Sequence, residues 1–220
     1  MAASILKCLA AFGLLAAAAA APSASIVKDT QLPIMLDAQS GEVDLKTGNE
    51  IFHKVRISQG DMVITAEQAQ ASQPGTKLSF DNSLLVFRGT VKITTDQGLL
   101  TADEAQITFV NNVFTKAVAT GKPAAFEQRI VKSGKQAKGN AETIDYDVAR
   151  GMVRFTTNAF LSLNDPQFEI RGQTLKYDAV NQKVIAPEEE QGSQRIHSIF
   201  TPPPPKTPPK SAPPPANPTP

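Results

Sequence analysis

The chain is poor in the residues that do covalent chemistry. Its 220 residues include one cysteine, two histidines, two tyrosines and no tryptophan. The cysteine, Cys8, follows Lys7 and precedes the first apolar run, so it lacks the small preceding residue of a lipoprotein site. With Cys8 set aside, no thiol is left for a disulfide, a nucleophile or a thiolate metal site. A secreted domain without disulfides must be held by an ordinary core or a long sheet. His53 and His197 are far apart, with no second ligand at useful spacing and no nucleophile elbow nearby. The formal net charge is +1 and the basic residues form no stripe, which leaves nucleic-acid binding without support. Phosphate-cradling glycine loops are absent too, and Gly121-Lys122-Pro123 reads as a tight turn. The carboxylates are scattered. Asp145 and Asp147 flank Tyr146 on what the alternation makes an outer face, and Glu188-Glu189-Glu190 after Pro187 reads as an edge blunter or the start of a linker. Together these point away from an enzyme, a bound metal or a cofactor.

Both ends are separable from the body. Met1 to Lys7 carries one positive charge, and Leu9 to Ala20 is an alanine-rich apolar run too short to span a bilayer as a stable helix. Small residues follow from Ala21 to Ser25, the pattern of a secretory signal peptide over residues 1–25. Residues 201–220 are mostly proline, which cannot donate to a sheet and favours an extended, solvated tail. Without Lys7, Lys206 and Lys210, the 22 basic residues drop just below the 21 acidic ones, so the body over residues 26–200 is near neutral.

That body has the period of β-strands. Leu85, Phe87, Val91 and Ile93 share one parity, as do Val153 and Phe155, and Leu161 and Leu163. Turn residues recur about every ten positions, at Lys46-Thr47-Gly48-Asn49, Gln59-Gly60-Asp61, Asn111-Asn112 and Ala149-Arg150-Gly151 among others. An internal repeat supports the reading. Val55 to Gln70 aligns without a gap on Val91 to Gln106, and a weaker copy runs from Leu161 to Gln173. Stacked units of two or three strands predict an all-β, elongated, folded-over antiparallel sheet of roughly 14–18 strands. Such a sheet lines its inside with alternate side chains, can keep a cleft along its length, and ends in unpaired edges. A long apolar cleft suits acyl chains.

Several segments in order resemble one family. Ala119-Thr120-Gly121-Lys122-Pro123-Ala124-Ala125-Phe126-Glu127-Gln128 is similar to the signature turn and strand of the OstA-like domain of lipopolysaccharide-transport proteins. The likeness continues through Lys138-Gly139-Asn140-Ala141, Asp145-Tyr146-Asp147, Asn158-Ala159-Phe160-Leu161 and Ile170 to Tyr177, and includes Gln31-Leu32-Pro33-Ile34 near the start. Against this family, Lys77 to Asn112 reads as an extra unit. The resemblance implies a β-jellyroll-like open sheet in the periplasm that binds the lipid A acyl chains of lipopolysaccharide. It also implies head-to-tail self-association, with LptC as partner at the inner membrane and the N-terminal domain of LptD at the outer membrane.

The candidate lipid-facing residues come from two sources. The motif match marks Ile34, Phe126, Tyr146 and Val148. Strand parity marks Val55, Ile57, Met62, Ile64, Val91, Ile93, Leu100, Phe155, Leu161, Leu163, Ile170 and Tyr177. Taken singly, most of these residues read as plain core; the expectation of lipid contact concerns the lining as a set. Two other classes compete with lipid carriage: a structural or adaptor β-repeat protein with no cargo, and a glycan-processing enzyme, which would need carboxylates converging in a cleft.

Overall fold

The computed structural model describes residues 32–44, 46–72, 80, 82–96, 98–130, 135–163 and 168–202. The expected signal segment, and the expected tail beyond Pro202, lie outside them. The described residues form a single sheet of twelve antiparallel strands. These are β1 (Met35–Asp37), β2 (Ser40–Asp44), β3 (Asn49–Gln59), β4 (Met62–Ser72), β5 (Leu84–Thr94), β6 (Gly98–Val110), β7 (Val113–Ile130), β8 (Lys135–Asp147), β9 (Met152–Leu163), β10 (Phe168–Asp178), β11 (Lys183–Ile185) and β12 (His197–Phe200). From β3 to β10 each strand pairs with the next in sequence. The turns are those the residues call for. Asn111 and Asn112 both take positive φ, as a two-residue type I′ hairpin requires. Asp44 accepts hydrogen bonds from the Lys46 and Thr47 amides and the Thr47 hydroxyl, closing the β2–β3 turn. These bonds hold the Asp44 carboxyl below its usual pKa.

The architecture is the folded-over sheet the alternation predicts, but its strands are fewer and longer than expected. The reason is a crease. The central strands run through a mid-strand irregularity, and in β7 it falls where the sequence predicts a turn. The ladder skips between Thr65 and Gln68, Arg88 and Val91, Thr101 and Glu104, Thr120 and Ala124, Asn140 and Thr143, and Gly172 and Thr174. Positive φ falls on the same line at Lys54, Gly89, Thr90, Thr157 and Asn158. Gly121-Lys122-Pro123, expected to be a tight turn, is the bulge inside β7, and its Lys122–Pro123 bond is cis. An extra residue at a bulge changes which parity points inward. On β7 the buried set passes from Ala117 and Ala119 to Ala124 and Phe126, and on β8 from Ala137 and Ala141 to Ile144 and Tyr146. The apolar face therefore stays inside on both sides of the bend.

Two half-sheets result, closed onto each other. Phe126, beyond the crease on β7, packs edge-to-face on Tyr146 and Phe155 of the other half, with ring centroids 5.8 and 6.0 Å apart. Charge stays outside. Lys54 pairs with Glu67, Arg88 with Glu104 at 3.0 Å, and Lys116 with Asp145 at 2.9 Å, all between neighbouring strands on the outer face. Exposed pairs of this kind contribute little each, so the fold rests on its interior and its ladder.

Both edges of the sheet are broken strands. At one end β1 pairs with Arg56–Ser58 and β2 with Asn49–His53, the two halves of β3. At the other, β11 pairs with Lys176–Asp178 and β12 with Phe168–Arg171, the two halves of β10. The gap in this second edge is filled by a side chain. Gln191 accepts from the Gln173 amide at 3.0 Å and donates to the Thr174 carbonyl at 2.5 Å and the Pro187 carbonyl at 3.2 Å. One buried amide thus substitutes for the missing strand residue. The Glu188–Glu190 segment, expected to blunt an edge or begin a linker, is a single 3₁₀ turn that presents Gln191, and Glu190 pairs with Arg154 at 2.7 Å and Lys176 at 2.8 Å.

Candidate functional site

The concave interior is built as cross-strand rows. On the half-sheet that carries the β3–β4 turn, Ile57, Ile64, Ile93, Leu100, Phe126, Gly139, Leu161 and Ile170 stand in register across eight strands. On the facing half, Phe52, Ala69, Phe87, Ala105, Ala119, Ile144, Phe155 and Leu175 make the matching row. The second row mixes rings with alanines, so each large side chain finds space beside a small one.

The residues expected to line the interior all face it. Val55, Ile57, Met62, Ile64, Val91, Ile93, Leu100, Phe126, Tyr146, Val148, Phe155, Leu161, Ile170 and Tyr177 are buried in one apolar cluster, and Ile34 and Leu163 are half-buried against it. The β3–β4 and β5–β6 hairpins are the two copies of the repeat, and they place Val55 and Val91, Ile57 and Ile93, and Ile64 and Leu100 at equivalent inner positions. Parity reasoning missed Phe87, Ile107, Phe109, Ile144 and Leu175, all fully buried. Phe87 shares the parity of Leu85 and Val91 and was within reach of the same argument. Ile144 and Leu175 lie past a bulge, where parity changes. His53 and His197 are both on exposed strand positions. Among the described residues no three His, Cys, Asp or Glu side chains are grouped to hold a metal ion.

The interior is closed along most of its length. One opening among the described residues is a small pocket at the mouth, under the turn that joins β5 to β6. It is lined by Ile93, Thr95, Gly98, Leu99, Leu100, Phe126 and Gln128 from one half-sheet and Tyr146 from the other, with a volume of about 20 Å³. A cavity of that size holds about one water. Nearer β3 the two rims are tied: Gln59 Nε2 donates to the Asn112 carbonyl at 2.9 Å and to the Leu32 carbonyl at 3.2 Å. Burial, and secondarily the charge of Asp96, pushes the Tyr146 phenol up to about 12, so it stays neutral and able to donate. Glu50, on the inner parity of β3, is also raised by burial.

The fold and this interior define a class: an open, creased antiparallel sheet of the kind found in lipopolysaccharide-transport proteins. The model of the family described as "LptA/(LptD N-terminal domain) LPS transport protein" matches residues 75–183. The lipopolysaccharide export system protein LptA of Escherichia coli K12 is 28% identical over 141 residues, covering 63% of this chain and 70% of that protein. LptH of Pseudomonas aeruginosa is 26% identical over 175 residues, covering 80% of this chain and 79% of that protein. The crystal structure of LptH, described as the LptA-homologous periplasmic component of the lipopolysaccharide transport device, superposes with a TM-score of 0.51 at 23% identity, over 79% of this chain and 99% of that one. This last likeness bears on the fold alone. The chain is similar to LptA and LptH, and these relatives support a role in lipopolysaccharide transport. Lys77 to Asn112, which the sequence alone suggested was an added unit, lies inside the family's matched span and supplies β5 and β6 of the central sheet.

Proposed function

We propose that this protein carries lipopolysaccharide through the periplasm by holding its lipid A acyl chains between the two half-sheets, as one section of a protein bridge from inner to outer membrane. The single observation behind this reading is the continuous apolar interior, a buried cluster fed by cross-strand rows that run through eight strands on each half-sheet. Each methylene withdrawn from water contributes about 0.8 kcal/mol, so a multi-chain lipid needs a sheltered route, while its sugars remain in solvent at the rim. In this reading LptC is the partner at the inner membrane, the N-terminal domain of LptD the partner at the outer membrane, and further copies join head to tail through the sheet edges. The protein acts by binding and passing on its cargo, without a catalytic step.

The closed interior adds a condition. A pocket of about 20 Å³ admits no acyl chain, so loading requires the half-sheets to part, and rings such as Phe126 and Phe155 must then exchange contact with each other for contact with lipid. The same closure favours the rival reading, a structural or adaptor sheet with no cargo. Extraction of the mildly purified protein followed by mass spectrometry separates the two. Lipid A recovered with the protein, and crosslinked to a photoreactive residue at Phe126 but not at outward Lys92, supports carriage. A folded protein free of lipid A and without an adduct at Phe126 supports the structural role.

A further inference from the structure

Near β3 the mouth is spanned by one primary amide. Gln59 ends β3 on one rim, and its side-chain nitrogen donates twice: to the carbonyl of Asn112, 2.9 Å away on the opposite rim, and to the carbonyl of Leu32 at 3.2 Å. Both receiving carbonyls are held in place. Asn112, with φ of 60°, lies in the type I′ turn between β6 and β7. The strands meeting at that turn carry Phe109 and Phe114, both buried, with ring centroids 6.2 Å apart. Phe80 packs edge-to-face on Phe109 at 5.5 Å, and the Phe109 amide donates to the Ser83 carbonyl at 3.0 Å. Leu32 lies over the β3–β4 turn at Gly60, where φ is +57° and a Cβ would come within 2.9 Å of the Leu32 Cδ1. The amide thus bridges two firm supports, yet its bonds are at the surface. A hydrogen bond that opens into water is replaced by bonds to water, so its net contribution is small. Such a tie biases the rims toward contact and is still released without a large penalty.

We infer that Gln59 is a latch on the cargo mouth: its amide holds the two rims together in the empty protein and lets go when an acyl chain enters. The inference rests on the lipid-carrying function proposed above and adds to it the residue that governs opening. Carriage requires the half-sheets to part, so the form that admits a chain is the open one. A ligand that binds only an open form has its apparent affinity lowered by the fraction of molecules that are open. Removing the latch raises that fraction, and cargo enters more readily. Removing a residue that merely stabilised the sheet does the opposite, because the binding surface is lost as the fold weakens.

The test is stopped-flow binding of a fluorescent acyl ester, methyl parinarate, to the full chain. Gln59→Glu keeps the size of the side chain and adds no apolar surface, but its carboxylate has no hydrogen to give either carbonyl. In this variant the ester enters roughly three- to tenfold faster and binds more tightly by a similar factor. The converse experiment locks the mouth. Gln59→Cys and Asn112→Cys, in a Cys8→Ser background, are joined by a short bis-maleimide, and joining suppresses uptake. Joined and unjoined samples are the same protein, so this comparison does not depend on what the substitutions cost in stability. Unchanged uptake in Gln59→Glu or in the joined protein overturns the latch and leaves lipid carriage standing. Slower or weaker uptake in Gln59→Glu also overturns the latch. Failure of the ester to bind the natural protein and both variants overturns the latch together with the reading it rests on.

Discussion

The ring of Phe155 fills the place of the side chain that Gly139 lacks. The two residues stand on opposite sides of the crease, and a Cβ on Gly139 would lie 2.6 Å from Cε1 and 2.7 Å from Cζ of that ring. The contact sets how closely the half-sheets approach. Glycine inside a strand is ordinarily a weakness, and replacing it with alanine elsewhere gains a few tenths to one kcal/mol. Here the sign reverses. Gly139→Ala should destabilise the protein by about 1–3 kcal/mol through overpacking, measured as a lower midpoint in urea. Gly139→Ala combined with Phe155→Leu should recover part of that loss, because the smaller side chain vacates the space. An alanine variant as stable as the natural protein would mean that the half-sheets slide freely on each other.

Gln191 offers a test of the broken edge. Its amide bonds to the Gln173 amide and the Thr174 carbonyl, between the ranges covered by β11 and β12. Truncation to alanine leaves both backbone groups unpaired, at a cost of about 2–3 kcal/mol. Hydrogen exchange should show the Gln173 amide losing protection first, with the β12 pairing to Phe168–Arg171 weakened in turn. Protection unchanged at Gln173 would show that solvent or a neighbouring segment replaces the amide at no cost.

What the sequence discloses, and what it hides, divides along the crease. Where a strand stays regular, alternation finds the inner face, as it does for Ile57, Ile64, Ile93 and Leu161. The repeat finds the hairpins, because two copies of one pattern must present equivalent residues to a shared core. The bend itself is hidden. Gly121-Lys122-Pro123 and Thr157-Asn158 are made of the residues that end strands, yet they fold one strand in the middle, and only the ladder on either side tells the two cases apart. On β5 and β9 the inner face keeps its parity across the irregularity, but on β7, β8 and β10 it changes, so reasoning carried across it fails, as at Ile144 and Leu175. Gln191 is beyond local reading altogether, since a side chain that substitutes for a strand is defined by a gap in tertiary structure.

The two edges carry exposed apolar side chains. Met35 on β1 is 58% exposed and Phe200 on β12 is 72% exposed, with the Phe200 ring packed at a tilt on Phe168, centroids 5.0 Å apart. Unpaired edges of this kind are templates for another strand, and the proposed head-to-tail assembly would use one edge from each copy. Phe200→Glu and Met35→Glu should each lower self-association measured by sedimentation velocity; thermal stability should change little at Met35, which faces solvent, and by no more than the lost Phe168 ring contact, about 0.5–1.5 kcal/mol, at Phe200. Association that survives both substitutions would place the contact between copies elsewhere.

Tyr146 makes stability sensitive to alkali. Burial raises its phenol from 10 to about 12, and the Asp96 charge adds to the effect. An acid whose folded pKa is raised is held neutral by the fold. Its contribution is complete below pH 10, where the unfolded chain is also neutral, and it is lost as pH rises from 10 through about 12. The span corresponds to about 2–3 kcal/mol at its upper end. Chemical denaturation at stepped pH should therefore show stability falling across that window in the natural protein. Tyr146→Phe should make the fall shallower without abolishing it, because burial also raises Tyr177. Asp96→Asn should bring the upper limit of the window down towards 10. A slope that is the same with and without the Tyr146 hydroxyl would mean that the phenol reaches solvent at the mouth, and that the half-sheets already stand apart there.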